Sequence, residues 1–199
     1  MADISIDEIK RLRSLTGVGI TDAKQALVEA KGDFDKALSA MRKKGLTKAE
    51  KRGEREARAG LIGSYVHDGR IGVICEVNCE TDFVAKTDEF KELVKDICLH
   101  IAAAGPEYIS AGDVPASVKK TVSAEFSDKA KAEGKPSEMI DKIVEGQLAK
   151  YFAEKCLSDQ AFIKNPDIKV GDYIKEHIAK LGENIVVRRF SRMVLGEVS

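Results

Sequence analysis

Two carboxylates, Glu80 and Asp82, stand two residues apart in the stretch Val77-Asn78-Cys79-Glu80-Thr81-Asp82-Phe83-Val84-Ala85. Such a pair can divide the work of general acid and general base, but two carboxylates in a loop also make an ordinary solvated turn. Phe83 offers a different chemistry. A large apolar side chain set among short polar residues can fill a partner's pocket as a wedge, at little cost in conformational freedom. It can equally fold inward as core beneath the loop, and spacing leaves both readings open. The four cysteines, Cys75, Cys79, Cys98 and Cys156, contain no C-x-x-C pair, so they read as free thiols in a reducing compartment. The histidines, His67, His100 and His177, are far apart in sequence and suggest no metal site. A Gly-rich phosphate loop with its Lys and Ser/Thr is missing, and no local motif arranges Ser, His and Asp for acyl transfer. The expectation is a binding protein with no catalytic residue, no metal and no cofactor.

Composition agrees with that class. The chain has 199 residues, enough for one or two domains with a real core. Apolar residues make up 43% and charged residues 33%, an ordinary globular balance. Lys plus Arg equals Asp plus Glu, so no global charge points to nucleic acid. No apolar run approaches the roughly 20 residues needed to span a bilayer. The N-terminus lacks the basic and apolar regions of a signal peptide, and a cytoplasmic, membrane-free protein is expected.

The elements that must position the loop follow from period and punctuation. Ser5-Ile6-Asp7-Glu8 has the form of a capping box, opening a helix with Ile6, Ile9 and Leu12 on one face that stops before Gly17. Thr21 is placed to cap a second helix ending at Gly32, and Asp33 a third ending at Gly45. Residues 1–45 therefore read as a three-helix bundle. Thr16-Gly17-Val18-Gly19-Ile20 makes its tight first connection and resembles the Gly-containing loop of ubiquitin-associated (UBA) domains, which bind partner proteins. The same turn is also what close helix packing alone would need. Residues 46–60 form a basic linker. From Arg42 to Arg58 there are eight cations against three carboxylates, with no aromatic side chain interleaved to stack on bases.

Residues 61–199 read as an α+β core in which helices pack on a small antiparallel sheet. Leu61 to His67 is a strand, Asp68-Gly69 a tight hairpin turn, and Ile71, Val73, Cys75 and Val77 share one face of the next strand. Cys75 is thus a small core residue. Thr87 caps a helix ended by Gly105-Pro106. A further helix carries Val118, Val122, Phe126 and Ala130. Ser137 is placed to cap a long one whose broad apolar face, Met139 to Phe152, suits burial against two surfaces. Asn165-Pro166 closes a loop, a helix follows to Gly182, and Asn184 to Leu195 is a last strand. Its alternation falters at Val187-Arg188-Arg189-Phe190, which predicts a bulge.

Three ordered stretches together carry a resemblance. Leu12-Arg13 with Thr16-Gly17-Val18-Gly19, Asp22-Ala23-Lys24 and Ala26-Leu27 is the first. The Val77–Ala85 stretch is the second, and Gly182-Glu183-Asn184-Ile185 with Arg188-Arg189 is the third. In these the chain closely resembles the bacterial elongation factor Ts family over nearly its whole length. The resemblance implies a translation elongation factor that promotes guanine-nucleotide exchange on elongation factor Tu without covalent chemistry. It implies that Leu12, Arg13, Thr16, Gly17, Val18 and Gly19 face the partner's GTPase domain. Thr81, Asp82, Phe83 and Val84 would intrude beside the nucleotide, Phe83 as wedge and Asp82 against the Mg2+ site. Longer members carry a second core subdomain and a coiled-coil insertion, for which this chain leaves no room. Short members pair as homodimers, with Met139–Phe152 and the last strand as candidate faces here. The competing class is a helical adaptor or RNA-binding protein acting through the basic linker.

Overall fold

A computed structural model describes residues 4–197. Helix α1 (Ile6–Thr16) opens with the capping box that the sequence spells. The Glu8 amide donates to Ser5 Oγ at 3.1 Å, and the Ser5 amide donates to Glu8 Oε2 at 3.2 Å. It ends at Gly17, in the left-handed region at φ 65°. Helix α2 (Ile20–Glu29) begins one residue before Thr21, so Thr21 lies in its first turn and does not cap it. Gly19 takes the extended cap position, and its carbonyl accepts the Ala23 amide at 2.9 Å. Helix α3 (Phe34–Arg52) is capped by Asp33, whose carboxylate accepts the Lys36 amide at 3.0 Å. Ile9, Leu12, Ala23, Leu27, Ala37 and Met41 close the bundle's core.

Gly45 does not end α3. The helix runs on through the first part of the basic stretch, with Ala49 buried. A tertiary contact overrides the glycine's punctuation. A Cβ at Gly45 would lie 3.3 Å from Ala179 Cβ, so the missing side chain lets α3 lie close against helix α8 (Val170–Leu181). Two cations of the basic stretch turn to that helix. Arg52 donates to the Ile178 carbonyl at 3.0 Å, and Arg42 pairs with Glu176.

The core is α+β. Strands β1 (Ala59–His67) and β2 (Ile71–Cys79) form a hairpin through Asp68, Gly69 and Arg70; the Arg70 amide donates to the His67 carbonyl at 2.8 Å, and the two central residues of that turn, Asp68 and Gly69, are both at positive φ. Strand β5 (Ile185–Val194) pairs antiparallel with the other side of β2, giving the order β1-β2-β5. Glu76 sits opposite Arg189 and Val77 opposite Val187, so Arg188 is the extra residue of the predicted bulge. Helix α5 (Asp88–Ala104) covers one face with Phe90, Leu93, Val94, Ile97 and Ile101. Strand and helix touch where β1 has no side chain, since a Cβ at Gly63 would meet Val94 Cγ1 at 2.4 Å.

Three further expectations change. Helices α6 (Ala116–Ala132) and α7 (Ser137–Lys155) fold back on each other around Gly134 and Pro136. Pro136 takes the cap position of α7, and Ser137 is its first helical residue. No α7 residue is fully buried: the helix packs on α6 and on the Leu157–Asp159 turn, and its apolar face is only half-covered. The loop expected at Asn165-Pro166 is a small hairpin of β3 (Ala161–Phe162) and β4 (Asn165–Lys169). Pro166 is tolerated there because this two-stranded ribbon consists of edges.

Candidate functional site

Strand β2 delivers Glu80 and Thr81 at its exit, and a four-residue helix, α4 (Asp82–Ala85), follows. A helix this short cannot hold itself, because nucleation costs more than so few hydrogen bonds return. Its order is imposed by neighbours. Thr81 caps it, with Oγ1 accepting the Val84 amide at 3.4 Å. Thr87 Oγ1 donates to the Val84 carbonyl at 2.7 Å, and Ala85 is buried beneath. Phe83 is left pointing into solvent at 86% exposure, the highest of the large exposed apolar side chains. The inward reading of Phe83 is excluded. Asp82 is exposed beside it, and Val84 is half-buried.

The Gly182-Glu183-Asn184 turn holds the loop from the far end of the chain. Glu183 Oε2 accepts the Thr81 amide at 3.0 Å, and Glu183 Oε1 accepts Thr81 Oγ1 at 2.7 Å. Glu80 Oε1 in turn accepts the Asn184 amide at 2.6 Å and pairs with Arg55 at 3.6 Å. The Asn184 side chain donates to the carbonyls of Arg55 (2.6 Å) and Gly53 (3.3 Å). The bulge residue Arg188 donates to Asn78 Oδ1 and to the Ala57 carbonyl. Glu80 is thus engaged in holding strand ends together, which leaves no acid–base pair with Asp82. Sequence alone gives Glu183 and Asn184 a place in the third stretch but no role of their own. The signal available was two polar residues directly after a helix-ending glycine and before a strand.

The thiols fit the same picture. Cys79 Sγ donates to the Thr81 carbonyl at 3.2 Å. Burial first, and then the negative charge of Glu183, push its pKa up to about 11, which keeps the donor protonated. Cys75 is fully buried. A hydrogen bond with Cys98 and the burial raise its pKa, so it is inert core. Among the described residues no group of three or more His, Cys, Asp or Glu is placed to hold a metal ion. Nor is any helix long and apolar enough to cross a membrane.

The N-terminal candidates separate. Leu12 is in the bundle core and supports the turn without reaching the surface. Thr16 Oγ1 donates to the Leu12 carbonyl at 2.6 Å, and Val18 packs partly on the same core. Gly17 needs to be glycine twice over. Its φ is 65°, and a Cβ would fall 2.6 Å from Lys180 Cα on α8. Close packing therefore accounts for Gly17. Arg13 and Gly19 remain exposed, with the apolar Leu15 and Ile20 nearby in sequence and also exposed.

The site is thus a rigidly held, outward-facing Phe and Asp on a short helix, beside a bundle with an exposed mixed surface. It has the anatomy of a protein-binding factor. Comparison with known proteins identifies the family. The model of the family described as "Elongation factor TS" matches residues 46–197. An elongation factor Ts of Thermoanaerobacter sp. (strain X514) is 52% identical, covering 98% of this chain and 96% of that protein. One of Desulfosudis oleivorans is 48% identical over 99% of this chain and all of its own length, and one of Geobacter sulfurreducens is 48% identical over 98% and 90%. The chain belongs to the elongation factor Ts family. It is a translation elongation factor, and the family's role is nucleotide exchange on elongation factor Tu.

Proposed function

We propose that the chain opens the nucleotide site of elongation factor Tu by a wedge and a displaced charge, with no covalent step of its own. The exposed Phe83 on a fixed α4 carries this reading. Phe83 enters between helices of the partner's GTPase domain, and Asp82 is brought against the partner's Mg2+ environment. A displaced Mg2+ leaves the phosphate charges of GDP unneutralised, so GDP is held less tightly. Binding of the factor and of nucleotide then oppose each other by the same coupling free energy in both directions, and GTP can enter and release the factor. Thr81 and Val84 hold the wedge. The bundle of residues 1–45, UBA-like in its Gly17 turn, grips the GTPase domain through Arg13, Thr16, Val18 and Gly19, with Leu12 and Gly17 shaping that surface from within. Residues 46–60 connect it to the core of residues 61–199, which pairs with a second copy. The factor works in the cytoplasm and needs no direct nucleic-acid contact, a reading supported by Arg42 and Arg52 of the basic stretch, which are engaged by α8.

The test is release of labelled GDP from elongation factor Tu. A central buried aromatic anchor is worth about 2 kcal/mol or more, so Phe83→Ala lowers the maximal release rate by at least about tenfold. Full exchange by Phe83→Ala would rule out the wedge.

A further inference from the structure

We propose that Glu183 is the positioning residue of this site, holding α4 in the orientation that presents Phe83 before any partner arrives. The proposal rests on the wedge reading and adds to it the group that sets the wedge. Most of the bonds that order α4 are local. Thr81 caps Val84, Thr87 closes the Val84 carbonyl, and Cys79 reaches Thr81. Among the described residues only Glu183 comes from a distant part of the chain, 102 residues from Thr81, and it contributes two charge-assisted bonds to that one residue. The Thr81 hydroxyl donates to Glu183 and accepts from Val84. By fixing the hydroxyl's hydrogen, Glu183 directs the oxygen's lone pair at the first turn of α4. Glu183 is itself well held. Gly182, at φ 82°, ends α8 before it, and Asn184 after it is tied to Glu80, Gly53 and Arg55. The clamp therefore joins the exit of β2 to the entry of β5, where Cys79 pairs with Ile185.

A residue that pre-orders a binding loop has a distinct kinetic signature. Without it the competent orientation is only fractionally populated, and apparent affinity falls by that fraction. Once the partner has captured the loop, the wedge itself is unchanged. Glu183→Ala accordingly raises the factor concentration that gives half-maximal GDP release by at least about tenfold, the scale of a single charge-assisted bond. The maximal rate stays within about twofold of wild type, in contrast to Phe83→Ala, which lowers it. Glu183→Gln, which keeps an acceptor for the Thr81 amide, falls between. Thr81→Val combined with Glu183→Ala costs less than the sum of the two single changes, because both remove the bond between the Thr81 hydroxyl and the Glu183 carboxylate. Asp113→Ala, which removes a comparable carboxylate clamp on Ser110 in the loop before α6, leaves half-saturation unchanged and controls for general loosening.

Hydrogen exchange of the free factor supplies a readout independent of activity. The amides of Val84 and Ala85, which donate to the Thr81 hydroxyl and carbonyl, exchange faster in Glu183→Ala and as in wild type in Phe83→Ala. If Glu183→Ala keeps wild-type half-saturation and wild-type amide protection while Phe83→Ala is impaired, the clamp is wrong and the wedge stands. If Phe83→Ala exchanges at full rate, the wedge is wrong, and the positioning role that rests on it falls with it.

Discussion

His100 shows how a single buried group makes the fold sensitive to acid. It is 1% exposed, its Nε2 is 2.9 Å from Gln160 Oε1, and its Nδ1 accepts the Ile163 amide at 3.2 Å. These partners fix the neutral tautomer with hydrogen on Nε2. A second proton on Nδ1 would face the Ile163 donor. Burial lowers the His100 pKa below its ordinary 6.5, and the Gln160 bond only partly opposes this. The unfolded chain therefore takes up a proton near pH 6.5 that the folded chain refuses. The stability attached to His100 is complete above that pH and is lost as pH falls from it towards the folded value. His100→Gln costs about 1–3 kcal/mol at neutral pH through lost buried bonds, but it lacks this slope. Urea unfolding at about pH 7.5 and about pH 5.5 should bring wild type and variant closer at the lower pH, and parallel losses would refute the assignment. Phe83 shows the limit of sequence at the same scale. A strand's period says which way Val73 or Cys75 points, and both were legible. A four-residue helix has no period to read, and its direction is set by a carboxylate 102 residues away.

At the scale of elements, punctuation was legible wherever the local chain alone decided the outcome. Ser5, Asp33, Thr87, Gly105 and the Asp68-Gly69 turn all act as their residue types demand. It failed where packing decides. Gly45 serves the contact of α3 with α8, and β3 with two residues is too short for any alternation to be recognised. The α6–α7 pair is the element whose independence is clearest. Its only fully buried residue is Ala130. Its attachment lies at the base, where the amides of Glu107 and Tyr108 both donate to the Lys155 carbonyl and Leu157 donates to Tyr108. With so little buried area, opening the hairpin exposes little that was hidden from water. Native-state hydrogen exchange is expected to give its amides an opening free energy at least about 2 kcal/mol below that of α5 amides such as Leu93 and Ile97. Equal protection would mean that hairpin and core unfold as one unit.

For the whole molecule, the sheet raises the question of a second copy. Its inner face is closed by α5, whereas the outer face of an antiparallel sheet normally alternates to polar residues and meets water. Here the outward positions include Ile62 and Val66 on β1, Ile74 on β2 and Met193 and Leu195 near the end of β5, each more than half exposed. They stand in register, with Val66 and Met193 both opposite Gly72, and Ser64 and Ser191 both opposite Ile74. The Glu76–Arg189 pair at 2.7 Å borders them, and that bond holds the Glu76 carboxyl below the usual range. Large apolar side chains gathered on one exposed sheet face suit an interface, and two such sheets stacked face to face would lie about 10 Å apart with their side chains interleaved. The α7 face is the weaker candidate, since α6 already covers half of it. Ile74 sits on the central strand, so a charge there would be buried without a partner in the stacked pair yet harmlessly solvated in a monomer. Ile74→Lys should therefore sediment as a monomer under conditions in which the wild-type protein sediments as a dimer, with the melting of the isolated chain little changed. A dimeric Ile74→Lys would move the interface to α7, and a monomeric wild type would remove the pairing altogether.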